Sequence, residues 1–177
     1  MLFRSIPSTL KEDLYEKIME HVKGNNVKIV VDATKNLLLN VLKYSPFLIK
    51  PNTHELEEIF SIKLESIEDI ITYGKKLQSL GAKNVLVSMG KDGAVLITES
   101  NEIFISNVPK GKVKNSVGAG DSMVAGFISG YLSGNSYKEA LRIGSACGSA
   151  TAFSYDLATK EFIDKLIKDI NIERIEK

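Results

Sequence analysis

VKIVVDATKNLLLNVLKYSPFLIKPNTHELEEIF, residues Val27 to Phe60, runs through the same alternation twice. Val27–Asp32 is a short β-branched run, suited to a strand buried on both faces. Leu37–Lys43 reads as a helix. Phe47–Lys50 is a second short apolar strand, closed by Pro51, and a helical pattern returns over Asn52–Phe60. Strands alternating with helices predict a parallel sheet covered by helices on both faces.

The same pattern continues outward. Toward the N-terminus, Thr9 followed by Glu12 reads as a capping box, after which Leu10, Leu14, Ile18 and Val22 recur at helical spacing up to Gly24. Toward the C-terminus, Ile67, Ile70, Ile71 and Leu77 mark a helix ending near Gly81. Asn84–Met89 and Ala94–Thr98 are strands separated by a glycine-containing turn, and Glu102–Ser106 is a third. Three helices are expected after that, near 117–132, 136–152 and 160–170. There is no internal repeat, low-complexity segment or linker, so one α/β domain is expected over residues 1–177.

Composition narrows the function classes. The 177 residues are 44% hydrophobic, enough for one good core. Lysine and arginine total 23 against 22 acids, and a net charge of +1 gives no basic field, so nucleic acid is not an expected partner. Cys147 is the only cysteine, which excludes an internal disulfide and fits a reducing cytosol. The opening MLFRSIPSTLKED lacks the apolar core of a signal peptide. No window reaches the roughly 18 apolar residues of a membrane span. The expectation is a cytoplasmic protein with no membrane partner.

The chemistry concentrates in NSVGAGDSMVAG, Asn115 to Gly126. Small and apolar residues from Val117 to Leu132, followed by Gly134, predict a helix here. Gly118, Ala119 and Gly120 let their backbone N–H groups approach a ligand, and unpaired N–H groups at a helix start form an anion site. A carboxylate at Asp121 would compete with that anion. The conflict resolves if Asp121 takes a proton from a hydroxyl while the N–H groups hold the phosphoryl group under attack. Taken alone, a glycine-rich turn with an acid in the first helical turn is more often an ordinary tight connection.

The longer order, Asn115, Ser116, GAGD and then Ala125-Gly126-Phe127-Ile128, resembles the second signature of the PfkB, or ribokinase-like, carbohydrate kinases. The similarity extends through most of the chain, and Val30–Phe60 looks most like the 1-phosphofructokinase branch, with tagatose-6-phosphate kinase close behind. The resemblance implies a ribokinase-like three-layer sandwich with a mostly parallel sheet. It also implies transfer of the ATP γ-phosphoryl group, with Mg²⁺, to a sugar phosphate. Fructose 1-phosphate is the first expectation, and tagatose 6-phosphate or another sugar the alternative. A noncatalytic nucleotide-binding module is an alternative of another class.

The match begins part-way into the family pattern, at Ile6-Pro7, which resembles the tail of a GSLP-like turn. The GGKGxNVA-like first signature and the strands of the lid have no counterpart here. The expectation is the C-terminal nucleotide-binding and catalytic portion of such a kinase. Its partners would be a sugar phosphate and ATP, together with a homo-oligomeric copy or the missing N-terminal portion.

Carried over residue by residue, Asp121 would be the general base, and Gly118, Ala119 and Gly120 the anion hole. Lys50, Asn52 and Glu55 of IKPNTHE match the KPN and NxxE elements. There Lys50 and Asn52 would lie near nucleotide phosphates, and Asn52 and Glu55 would influence Mg²⁺ through its water shell. Asn52 and Glu55 also fit a purely structural helix cap. Ser88, Gly90, Lys91, Asp92 and Gly93 match an [ST]xGxxG segment beside ATP, where the plain alternative is an Asp-Gly hairpin. Asn115, Gly120 and Ser149 complete the expected nucleotide contacts. Ala146, Ser149 and Ala150 would make room for adenine or serve only close helix packing. Asp32 sits where ligands gather in such sheets, but DATK stands where relatives read DTSG. His54 reads as a solvated helix residue and Cys147 as a buried small hydrophobe.

Overall fold

Two-residue apolar ladders, rather than long strands, build the first part of the protein. The computed structural model describes residues 2–3, 14–22, 27–33 and 35–176. The expected Thr9–Glu12 capping box, Gly24 and the Ile6-Pro7 turn lie outside them. The chain divides into two compact units, Met1–Ser88 with Ile97–Asn101, and Met89–Leu96 with Glu102–Lys177.

In the first unit the element order is β1 (Leu2–Phe3), α1 (Leu14–Val22), β2 (Val30–Val31), α2 (Lys35–Leu42), β3 (Leu48–Ile49), α3 (Thr53–Phe60), α4 (Ile67–Ser79) and β4 (Asn84–Ser88). The strands lie in the order β1-β2-β3-β4, each parallel to the next. Val30 pairs with Leu48 and Leu48 with Asn84, while Val31 pairs with Ile49 and Ile49 with Val85. Val31, Leu48, Ile49, Val85, Leu86 and Val87 are fully buried, as unbroken apolar runs require in a sheet covered on both faces.

The ladders of β2 and β3 are shorter than the runs Val27–Asp32 and Phe47–Lys50 that predict them. Hydrogen bonding extends past them all the same: Phe47 N–H donates to Ile29 O at 2.8 Å and Lys50 N–H to Val31 O at 3.3 Å. Asn84 starts β4 fully buried and is satisfied on both sides of its amide. Its Nδ2 donates to Phe47 O at 2.7 Å, and its Oδ1 accepts from Glu99 N–H at 2.9 Å.

The second unit contains β5 (Ala94–Ile97, whose last residue groups with the first unit), β6 (Ile103–Ser106), α5 (Ala119–Leu132), α6 (Tyr137–Ala152), α7 (Lys160–Leu166) and β7 (Ile172–Ile175). The three predicted helices are present. The last is cut to two turns and ends in a 3-10 turn over Ile167–Asp169. β7 is an addition to the elements expected from sequence. It runs antiparallel to β6, from Ile103 opposite Ile175 to Ser106 opposite Ile172. Its four residues, IERI, carry two central charges and bury Ile172 alone, so they lack the run of alternation that marks a strand.

α5 and α6 pack almost backbone to backbone. A Cβ on Gly144 would stand 2.7 Å from Met123 O, and one on Gly148 would stand 3.1 Å from Ala119 O. Helix contact accounts for the glycines of α6. Ala146 and Ala150 are both buried. Beyond α6, Ala150, Phe153 and Leu166 form a cluster joined by Val108, Phe162 and Ile163. Among the described residues, no helix is long and apolar enough to cross a membrane.

Candidate active site

The first unit gathers five of the singled-out residues at the C-terminal ends of its parallel strands. Val31 and Ile49 are register partners, so Asp32 and Lys50 leave neighbouring strands side by side. Lys50 Nζ lies 3.3 Å from Asp32 Oδ1, and the Lys50 side chain is buried. One turn later Asn52 bridges to Ser88 in parallel fashion, and Ser88 N–H donates to Pro51 O at 3.1 Å. Lys50, Asn52 and Ser88 therefore belong to one strip of backbone, with Asp32 beside it.

Asn52 is the N-cap of α3. Its Oδ1 accepts Glu55 N–H at 2.8 Å, and Glu55 Oε2 accepts Asn52 N–H at 2.8 Å. The structural reading of NxxE is thus correct, and it consumes one polar atom from each side chain. Asn52 Nδ2 and Glu55 Oε1 have no hydrogen-bond partner among the described residues. That remainder suits a hydrated Mg²⁺, which asks for few direct protein ligands. Among the described residues, no cluster of three or more His, Cys, Asp or Glu is arranged to hold a metal ion. His54 is exposed and lies 3.6 Å from Glu58 and 3.9 Å from Glu57 on its own helix.

The second unit carries the glycine-rich turn. Gly118 is the N-cap of α5, with φ +79 and ψ −4 in the left-handed region, where a side chain is strained. Asp121 is the acid of the first turn and is half-buried. Ala119 N–H donates to Ser116 O at 3.2 Å, and Ser122 N–H closes the first helical bond onto Gly118 O at 2.9 Å. Among the described residues, the N–H groups of Gly118 and Gly120 reach no acceptor. Two open donors thus stand at the positive end of a 14-residue helix, with a half-buried carboxylate one residue further on.

The rest of the expected residues divide into two groups. Met89–Gly93 is a closed turn, with Met89 N–H on Gly93 O at 2.8 Å and Gly90–Asp92 forming one 3-10 turn. Gly93 has no room for a side chain, since its Cβ would fall 1.8 Å from Ser106 O. Gly90 faces open space, and Lys91 and Asp92 are exposed, so the free side of the turn is available to a ligand. Ser149 is half-buried on α6. Cys147 is half-buried as well, not fully enclosed, and desolvation is the first cause holding its thiol above the ordinary value. It lies against α5, where its Sγ would be 2.6 Å from a Cβ on Gly126.

Two contacts near these residues were not foreseen. One is the Asp32–Lys50 pair, which only strand register reveals. The other is Thr151, buried on α6, whose hydroxyl donates to Ser122 Oγ at 2.9 Å; no sequence signal announces it.

Residues 2–161 match the pfkB family carbohydrate kinase pattern. The 1-phosphofructokinase of Bacillus subtilis is 47% identical over 175 residues, covering 99% of this chain and 57% of that protein. The D-tagatose-1-phosphate kinase of Bacillus licheniformis is 40% identical over 172 residues, covering 97% of this chain and 56% of that protein. The structure of Arabidopsis thaliana ribokinase complexed with ribose and ATP superposes with a TM-score of 0.77 at 25% identity, over 91% of this chain and 54% of the ribokinase. The α/β fold is therefore ribokinase-like, and the chain spans a little over half the length of the curated relatives it matches. The chain belongs to the pfkB family of carbohydrate kinases.

Proposed function

We propose that this chain carries the nucleotide-binding and catalytic residues of an ATP-dependent sugar-phosphate kinase, with fructose 1-phosphate as acceptor and fructose 1,6-bisphosphate as product. What supports the reading above all is the pair of open N–H groups at Gly118 and Gly120 beside the Asp121 carboxylate. Phosphoryl transfer asks a protein mainly for positioning, for stabilisation of charge on the moving group, and for a proton acceptor.

In this reading Asp121 accepts the proton of the acceptor hydroxyl as the new O–P bond forms. The bond between the γ-phosphorus and the β–γ bridging oxygen breaks, and its electron pair leaves with ADP. Gly118 and Gly120 donate to the oxygens of the transferring group, and Ala119 keeps the turn narrow. Lys50, buried and charge-balanced by Asp32, offers its ammonium to phosphate oxygens. Asn52 and Glu55 hold the water shell of Mg²⁺ through the polar atoms that their cap leaves over. Bound Mg²⁺ would supply charge neutralisation on the phosphates. Nucleotide contacts are assigned to Ser88 in the first unit and, in the second, to Gly90, Lys91, Asp92, Gly93 and Ser149. A cytoplasmic setting and a homo-oligomeric or longer parent protein accompany this reading.

The relative named for D-tagatose 1-phosphate, at 40% identity, favours a tagatose phosphate as the second choice of acceptor. A noncatalytic nucleotide-binding module is the reading of another class. One assay separates them: release of ADP by the purified chain with Mg²⁺-ATP and fructose 1-phosphate or a tagatose phosphate. Turnover that drops by roughly 10²–10⁴ in Asp121→Asn supports the kinase. Saturable ATP binding with no ADP release supports the module instead.

A further inference from the structure

Both polar ends of the Asn115 side chain are engaged within the protein. Its Oδ1 accepts Val117 N–H at 3.0 Å, and its Nδ2 donates to Tyr155 O at 3.3 Å. The adjoining main chain runs to the same neighbourhood. Lys114 N–H and Asn115 N–H both donate to Ala152 O, on the last residue of α6, at 2.9 and 3.2 Å. The Lys114 ammonium lies 4.8 Å from the centre of the Tyr155 ring, and Leu157 Cδ2 lies 3.7 Å from where a Cβ on Gly118 would be. On the helical side, Thr151 donates to Ser122 Oγ, and Ser122 N–H closes onto Gly118 O. The start of α5 is therefore held from both flanks by residues 151–157.

We propose that Asn115 is a positioning residue: it ties the Gly118–Gly120 turn to the segment that follows α6, and it does not contact the nucleotide. An Asx turn alone would shape residues 115–117 locally. The second bond, to Tyr155 O, is what couples that shape to another part of the fold. The open N–H groups and the Asp121 carboxylate then keep one spacing, and misplacement by about 1 Å can cost roughly 10²-fold in rate. The functional half of this inference rests on the kinase reading, whereas the link between the two segments does not.

Asn115→Asp separates the two bonds. Aspartate still accepts Val117 N–H, but it has no donor for Tyr155 O and sets a carboxylate against a carbonyl. Hydrogen–deuterium exchange on the whole chain should show residues 114–122 and 153–158 exchanging faster together, by about 10-fold or more, with the other segments unchanged. ATP affinity should stay within about threefold, while kcat falls by roughly 10–100-fold. Unchanged exchange over 153–158 would overturn the proposal. So would a large loss of ATP affinity with kcat preserved, because that pattern marks a nucleotide contact. Should the charged variant fail to fold, Asn115→Ala removes both bonds and must show the same paired acceleration. If the wild-type chain has no turnover, the kinase reading fails by itself, and paired exchange with unchanged ATP affinity still decides the role of Asn115.

Discussion

Lys50 and Asp32 form an ion pair at 3.3 Å, with side chains only 7% and 15% exposed, at the ends of two neighbouring parallel strands. A charge this enclosed needs a partner, and removing one member strands the other. Asp32→Asn should therefore destabilise the protein by about 3 kcal/mol in urea unfolding. The double variant Asp32→Leu, Lys50→Met should regain much of that loss, because no buried charge is left over. A double variant less stable than Asp32→Asn would show that the pair stabilises by more than mutual compensation.

Gly144→Ala tests the contact between α5 and α6. Alanine gains up to about 1 kcal/mol of helix propensity over glycine. Against this, its Cβ would stand 2.7 Å from Met123 O and 3.2 Å from Phe127 N, both backbone atoms with little freedom to retreat. Overpacking of this kind costs about 1–3 kcal/mol, so the net effect should be a lower unfolding midpoint. A more stable variant would mean the helices are spaced more loosely than described.

Gly118→Ala and Gly134→Ala form a matched pair. Their φ values are +79 and +83, so both substitutions carry the left-handed backbone penalty of about 1–2 kcal/mol. Neither Cβ is crowded, since Gly134 meets nothing within 4 Å and Gly118 meets Leu157 at an ordinary 3.7 Å. Both variants should lose similar stability. Only Gly118→Ala should also lose turnover, because only there would relief of the strained backbone shift the open N–H groups at the head of α5. Equal activity in the two would mean that turnover does not depend on the left-handed turn at Gly118.

Asp69 supplies a pH dependence. Its Oδ2 accepts from Glu65 N–H, Ser66 N–H and the Ser66 hydroxyl at 3.1, 3.0 and 2.9 Å, which favours the carboxylate and lowers its pKa below the ordinary 3.8. A depressed folded-state pKa means the contribution is complete above 3.8 and is lost as pH falls through the lower folded value. The stability difference between wild type and Asp69→Asn should be flat from about pH 5 to 7 and shrink below about pH 4. A difference that stays constant into acid would mean the cap works equally well protonated.

Much of the fold could be read directly. Val30–Val31 and Leu48–Ile49 declare themselves as buried strands by branching and apolarity. β7 could not be read, because its strand character comes from pairing with β6 and not from its own four residues. At the candidate site, the N-cap role of Asn52 and Glu55 was legible because capping acts over three residues. The partners of Lys50 and Asn115 were not, because they lie far along the chain.

Residue order by itself determined what depends on short-range physics: which segments coil or extend, where helices are capped, and that a glycine-rich turn would set small residues and one acid at the head of a helix. Tertiary structure alone decided who meets whom. Parallel register places Asp32 beside Lys50, and the return of the chain after α6 brings Tyr155 O to the Asn115 amide. Such pairings depend on the summed packing of many distant residues, and no local pattern encodes that sum.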